Sequence, residues 1–340
     1  MKKVYVLFLS LLLVCFSFGQ TPVTYTTTTT WRDPGGTSNY GDGLTYNYTF
    51  QAQSNKFWKI NFTEFYTEAN YDYLYLNTNS SFTGGTAFTG SSLPSGNPYY
   101  SSIGGAFYSK FTSDAYENES GWLASANLID AGDGTSYGSG SWIGYAYTWS
   151  GTPAFTTKIG YVTATERFDR DYDANPFSAS DVNICPPYPS DYFAVRYKMT
   201  KSFTAGYYTF NVGADDGVRL SVDGGATWLI DQWHDQAYTE YTATAYLSGS
   251  KNLVLEYYEN AGGARISFTY AAGDMATSGS GSWLGYLYED YSGTFPQTKY
   301  RGYVTESELI NRNWAAGNFS GATNNFYGTY SDNYSARYNY

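Results

Sequence analysis

Tyr208-Thr-Phe-Asn-Val-Gly-Ala-Asp-Asp-Gly-Val-Arg-Leu-Ser-Val-Asp-Gly224 reads as a strand, a turn carrying two adjacent carboxylates, and a second strand. Apolar side chains alternate with small or polar ones up to Ala214, the two-residue period of a half-buried strand. Gly217 allows a tight turn, and Arg219-Leu-Ser-Val222 leaves as a strand again. The pattern extends outward through Asn252-Leu-Val-Leu-Glu-Tyr257 and Arg265-Ile-Ser-Phe-Thr-Tyr270. Upstream it returns in Phe57-Trp-Lys-Ile-Asn-Phe62 and Tyr71-Asp-Tyr-Leu-Tyr-Leu76. Tyr, Phe and Thr suit strands, whereas the 36 glycines, with Asn, Asp and Ser, suit turns. No stretch after the first twenty residues carries an apolar stripe of helical period. The chain is therefore predicted to be all-β, built of tandem antiparallel β-sandwich domains with the last one incomplete.

A long repeat sets the organisation. Gly138-Ser-Gly-Ser-Trp-Ile-Gly-Tyr145 returns as Gly279-Ser-Gly-Ser-Trp-Leu-Gly-Tyr286, and Gly160-Tyr-Val-Thr163 returns as Gly302-Tyr-Val-Thr305. Asp191 with Arg196-Tyr197 matches Asp332 with Arg337-Tyr338. A repeat of this length is a whole domain rather than a solenoid unit. The expected order is a signal peptide over 1–20, a Thr-rich exposed lead over 21–30 and a strand-rich unit over 31–130. A Gly/Ser linker (131–140), a second unit (141–272), a second linker (273–282) and a partial copy (283–340) follow. The second copy stops before any equivalent of Asp215-Asp216. The working protein is thus expected to continue past residue 340, leaving 281–340 loosely ordered in isolation.

Lys2-Lys3 followed by the apolar run Val4 to Phe18 has the form of a secretory leader, with cleavage near Gly19 or Gln20. No other segment approaches the ~18 apolar residues of a membrane span. The location implied is secreted or cell-surface. The net charge of −11 deepens once Lys2 and Lys3 are removed, which disfavours nucleic acid and anionic lipid and suits hard cations. After cleavage Cys185 is the one remaining thiol, so disulfides cannot supply stability, and a buried, inert thiol is expected.

The Asp215-Asp216-Gly217 turn, the Tyr207-Tyr-Thr-Phe210 lead and the closing Tyr257-Tyr-Glu-Asn-Ala-Gly-Gly263 stretch follow one another in a known order. Together they resemble the protective-antigen-type domain found in toxins, glycosidases and fungal adhesins. In its lectin members the two aspartates are joined by a cis peptide and hold a calcium ion that in turn holds sugar hydroxyls. The resemblance implies that role for Asp215 and Asp216, with Asn260 as a further ligand. The alternative is that the pair only shapes a hairpin. Trp228 and Trp233 flank the Asp231 turn, where an indole could stack on a sugar face, although packing is the plainer role for Trp233. His234 reads as a surface loop residue.

In the first unit, Phe62-Thr-Glu-Phe65-Tyr-Thr-Glu68, then Tyr71-Asp72-Tyr-Leu74, then Phe111-Thr-Ser-Asp114 and Gly121-Trp-Leu-Ala124 resemble a CUB domain. That resemblance implies a calcium site from Glu68, Asp72 and Asp114. The usual disulfide cysteines are absent, and the loop from the Glu to the first Asp is shorter than in typical calcium binders. Without metal these acids would cap loops by hydrogen bonding.

No nucleophile elbow or zinc-helix signature occurs, and Glu166, Asp169 and Asp171 read as solvated loop acids. The sequence thus points to a non-catalytic, calcium-dependent protein that binds glycans or glycoproteins, its modules repeated for avidity. Accessory modules of a larger extracellular enzyme are the alternative, and an enzyme within this chain ranks last.

Overall fold

Alternation along the chain becomes strands whose inward residues are almost all aromatic or aliphatic. The structure, a computed structural model, describes residues 22–273, 279–289, 294–295, 299–306, 309, 319–320, 325–326, 329–330 and 335–340. The expected signal peptide, the middle of the second linker and much of the partial copy lie outside these residues. The described residues contain strands and no helix, and the sheets remain open, as expected of an all-β chain of sandwich domains. None of the described segments is a helix long and apolar enough to cross a membrane. Two compact units are defined by contacts: Met1–Gln53 with Trp58–Leu128, and Ser54–Phe57 with Ile129–Tyr340.

The first unit is built from β1 (Val23–Tyr25), β2 (Thr29–Arg32), β3 (Thr45–Gln51), β4 (Lys56–Tyr66), β5 (Tyr73–Asn77), β6 (Thr86–Phe88), β7 (Tyr99–Tyr100), β8 (Ala106–Thr112) and β9 (Gly121–Asp130). One sheet has the order β1-β3-β8-β5-β6 and the other β2-β9-β4-β7. Between them Trp31, Phe50, Trp58, Phe111 and Trp122 are fully buried, with Trp31 edge-on to Trp122 at 5.2 Å. The Thr-rich lead is largely exposed, as expected, but its backbone is paired rather than free. β1 pairs in parallel with β3, Tyr25 stacks on Phe50 at 5.0 Å, and β2 pairs with β9. Backbone pairing with strands distant in sequence orders a segment that lacks an apolar face of its own.

The second unit contains β10 (Gly138–Ser139), β11 (Trp142–Thr148), β12 (Thr157–Ala164), β13 (Phe168–Asp171), β14 (Phe193–Asp215), β15 (Val218–Ser221), β16 (Ile230–Gln232), β17 (Thr239–Glu259) and β18 (Arg265–Ala272). β14 and β17 pair along almost their whole lengths, with an irregularity between Phe203 and Gly206. Up to Lys198, β14 also pairs with β11; from Tyr208 onward its other neighbour is β18. The two long strands thus pass from one layer of the sandwich into the other. Both ends of β14 come back together. The Gly217 carbonyl accepts the Tyr258 N–H at 2.9 Å, and the Asn260 carbonyl accepts the Tyr192 N–H at 3.3 Å.

The Gly/Ser linker is wired in place. Asp133 accepts hydrogen bonds from the Thr135 and Ser136 amides, the Ser136 hydroxyl and the Tyr145 hydroxyl. Lys198 donates to the Thr135 carbonyl and covers the Tyr137 ring at 4.3 Å, while β10 pairs with Met199 and Thr200. Gly132, at φ +72°, lies so close to Tyr145 and Tyr161 that a Cβ there would sit 2.8 and 2.9 Å from their rings. The repeat reproduces this joint: a Cβ on Gly273, at φ +103°, would meet Tyr300 and Tyr303 at 2.7 and 2.8 Å.

In the second copy β19 (Trp283–Tyr288) pairs with β20 (Tyr300–Glu306), as β11 does with β12. Short strands β21 (Phe319–Ser320), β22 (Asn325–Phe326) and β23 (Thr329–Tyr330) follow, and β24 (Ser335–Asn339) lies against β19 as the start of β14 lies against β11. The described strands of this copy thus pair as their counterparts in copy one do. Its Tyr286, Tyr288 and Tyr300 pack with Ala271 of β18 in one small core cluster. Of the three acids read as solvated loop residues, Glu166 lies in a loop and Asp169 is exposed, but two are on a strand. Asp169 and Asp171 belong to β13, Asp169 pairs with Arg265 at 2.6 Å, and Glu166 pairs with Lys201 at 3.1 Å.

Because residues 131–140 are tied down by hydrogen bonds rather than tethering freely, a broad-specificity protease at low dose should make no early cut there. Early cleavage within 131–140, read by mass spectrometry of the first fragments, would show a free tether.

Candidate metal centre

The fold-over of β14 places the Asp215-Asp216 turn beside the end of β17. Asp215 and Asp216 are joined by a cis peptide bond. One carboxylate oxygen from each of Asp215, Asp216 and Glu259 lies within 4.8 Å of the others. Asp216 and Glu259 are buried. Backbone amides from two further loops hold the aspartates. Asp216 accepts the Gln236 N–H on Oδ1 at 3.0 Å and the Asn260 N–H on Oδ2 at 2.8 Å, and Asp215 Oδ2 accepts the Tyr238 N–H at 3.1 Å. The Tyr257 hydroxyl donates to the Asp215 carbonyl at 2.7 Å. Gly217 is required by close approach, since a Cβ there would sit 2.0 Å from the Tyr258 ring.

The sequence reading placed Asn260 in this site and missed Glu259 and Asp235. Asn260 does reach the loop cluster, but its side-chain Nδ2 donates to Asp235 Oδ2 at 2.9 Å. Asp235 is held on its other oxygen by the Tyr258 hydroxyl at 2.7 Å. Glu259 could have been found by strand parity: Leu253, Leu255 and Tyr257 all enter the core, so Glu259 follows them inward.

Burial, reinforced by the charges of Asp216 and Asp215, pushes the Glu259 carboxyl up to about 8. Burial and the neighbouring Asp216 raise Asp215 as well. Glu259 Oε1 is buried and finds no hydrogen-bond partner among the described residues. An orphaned carboxylate oxygen facing two aspartates fits a hard, oxygen-seeking cation. Asp215, Asp216 and Glu259 would hold such an ion, which would neutralise the crowded charge.

The first unit gathers a second set. Oxygens from Glu68, Asp72 and Asp114, the set implied by the CUB resemblance, lie within 4.8 Å of one another. Asp72 is fully buried; it accepts the Tyr40 hydroxyl on Oδ2 at 2.6 Å and the Asp114 N–H on Oδ1 at 2.9 Å. Glu68 donates its backbone N–H to the Tyr40 hydroxyl at 2.9 Å, so one tyrosine ties both loops. Desolvation, with Asp114 and Asp72 nearby, raises the Glu68 carboxyl, and Glu68 Oε2 is buried without a partner among the described residues. These residues fit a hard cation on the same grounds.

Trp233 packs edge-on against Tyr258 at 4.7 Å, and the Arg219 guanidinium lies over both Trp228 and Trp233 at 4.3 and 4.5 Å. Arg219 and Arg196 both ion-pair with the buried Glu256. One face of each indole is thus already covered. His234 is exposed, and Cys185 is buried with its thiol pushed up to about 11 by desolvation.

No family model matches the chain. The anti-sigma-I factor RsgI3 of Acetivibrio thermocellus is 39% identical over 67 residues, 19% of this chain. The match spans about a tenth of that protein's length, 10% of it. Among solved structures, the MASP-1 CUB2 domain bound to Ca2+ is 21% identical, covering 31% of this chain and 96% of that one at a TM-score of 0.27. The PA14 domain of the MpAFP antifreeze protein is 15% identical, covering 41% and 85% at a TM-score of 0.30.

Glu259 binds its proton more tightly in the folded chain (about 8) than in the unfolded one (4.5). Between those values the folded state carries the extra proton, so stability falls as pH rises. Denaturant melts of the chain in chelator should lose stability from pH 5 to pH 8. A flat or rising profile would contradict the crowding of carboxylates.

Proposed function

We propose that this chain is an extracellular, calcium-dependent glycan-binding protein without catalytic activity of its own, acting in adhesion. The observation that carries the reading is the convergence of Asp215, Asp216 and Glu259, with an orphaned buried oxygen, on one loop end of the second sandwich. Calcium accepts six to eight oxygen ligands in flexible geometry, so three carboxylates from separate loops leave positions for carbonyls, water and vicinal sugar hydroxyls. The acids Asp191 and Asp235, together with Asn260, rim this end and supply hydrogen-bonding groups that suit a polar ligand. The Glu68, Asp72 and Asp114 set gives the first unit a second calcium position, in keeping with the CUB resemblance.

Trp233, part-buried beside Tyr258, gives the site an aromatic flank on which a sugar could rest. Affinity per site is expected to be modest, with repeated modules adding avidity.

A glycan array probed with the full chain in calcium and again in chelator tests this. Calcium-dependent binding to a defined set of glycans is expected. No signal above background in calcium would overturn the lectin assignment.

A further inference from the structure

Copy two departs from copy one at positions that the strand register makes equivalent. Tyr147 pairs with Lys158 and leaves Ile159 as the bulged residue of β12, while Tyr288 pairs with Tyr300 and leaves Arg301 in the same place on β20. One step on, Thr148 faces Thr157, whereas the Glu289 N–H donates to the Lys299 carbonyl at 2.9 Å. Thr148, Thr157 and Ile159 of copy one thus correspond to Glu289, Lys299 and Arg301. Ile159 belongs to the hydrophobic core. Arg301, with a side chain 12% exposed, instead ion-pairs with Glu289 at 3.0 Å. Replacing a core residue by a largely buried charge gains a fold little, because desolvation offsets the attraction of the pair.

A cleft gives these charges a use. Glu289, Lys299 and Arg301 form one wall of a cavity of about 470 Å³, and its remaining lining belongs to copy one. Both copies lie within the second compact unit. Asn211 Nδ2 donates to the Tyr300 carbonyl at 3.1 Å, and Lys299 pairs with Glu240 at 3.5 Å, so the two sides are tied together. Asn211, Ser267 and Thr269 give a polar floor, and the Arg265 guanidinium lies over the Tyr238 ring at 4.3 Å. Around it stand four cations, Arg167, Arg265, Lys299 and Arg301, with three acids, Asp169, Glu240 and Glu289. The whole chain has 30 acids to 19 cations, so the cleft reverses its balance. We propose that this cleft binds a saccharide bearing a carboxylate, of the uronic acid type, without calcium. The ligand carboxylate docks on the wall carrying Lys299 and Arg301. Its hydroxyls donate to Asp169 and Glu240 and meet the floor of Asn211, Ser267 and Thr269. The three acids repel a nucleic acid or a heavily sulfated chain, whereas one negative charge per sugar is matched by the cations. The inference goes beyond the calcium reading and does not depend on it.

The test is calorimetric titration of the full chain, in chelator, with short oligomers of galacturonate, of mannuronate and of hyaluronan, and with a cellulose oligomer as the neutral control. One of the uronate probes should bind about ten-fold or more tighter than the neutral one. Glu289→Thr combined with Arg301→Ile restores the copy-one residues. This double variant should weaken uronate binding by about ten-fold or more, with an unchanged or raised melting temperature. Lys299→Thr, at a side chain 42% exposed, tests the same wall without disturbing packing and should also weaken binding. Unchanged uronate affinity in both variants overturns the site, and a lowered melting temperature alongside it marks the charges as a structural latch instead. Binding of the cellulose oligomer as tightly as the uronates overturns carboxylate recognition. No binding of any uronate probe to the wild type at millimolar concentration overturns the proposal outright. Because chelator is present throughout, each of these results leaves the calcium reading untouched, and a failed calcium-dependent array leaves this cleft untouched.

Discussion

Three carboxylate oxygens within 4.8 Å, two of them on buried side chains, are the constraint around which the second sandwich is arranged. At an effective dielectric of about 20, a pair of like charges at that separation repels by roughly 3.5 kcal/mol. A domain has only about 5–15 kcal/mol of net stability. Such a cluster is sustainable only if protons or a cation compensate it. Protons do so in part, since Glu259 rises to about 8, and a divalent ion does so more completely.

The fold is what forces those charges together. β14 and β17 run through both layers, with the irregularity at Phe203 and Gly206 where β14 changes neighbours. Asp215, at the far end of β14, consequently returns to the end of β17, which pairs with the start of β14 at Phe193. Straightening β14 would separate the two aspartates from Glu259. The aromatic core between the layers, with Tyr197, Phe210, Tyr257 and Phe268 among its buried residues, keeps the strand folded over. Site and core are therefore coupled through one strand. The first unit reaches a comparable result by different means: Tyr40 bridges Asp72 and the Glu68 backbone so that two loops share one acidic pocket.

Much of this was legible in the sequence for local reasons. Alternating aromatic and polar residues announced β4, β5 and β18, and the Asp-Asp-Gly turn marked the centre of one site. Glu68, Asp72 and Asp114 were singled out by the resemblance of their motifs to a CUB domain. Glu259 was missed because a single acid at a strand end looks solvated unless the inward parity of Leu253, Leu255 and Tyr257 is followed one step further. The ties that hold the Thr-rich lead and the Gly/Ser segment were not legible, because composition reports only what a segment could do alone. β1 is ordered by its partner β3, and residues 131–140 by the hydrogen bonds around Asp133, neither of which composition encodes.

Calcium ions bound per chain can be counted by equilibrium dialysis of the full chain against calcium. Two ions per chain are expected, one of which is lost with Asp216→Asn and the other with Asp114→Asn. A chain that binds no calcium at millimolar concentration, or whose bound ions persist in Asp216→Asn, would contradict it.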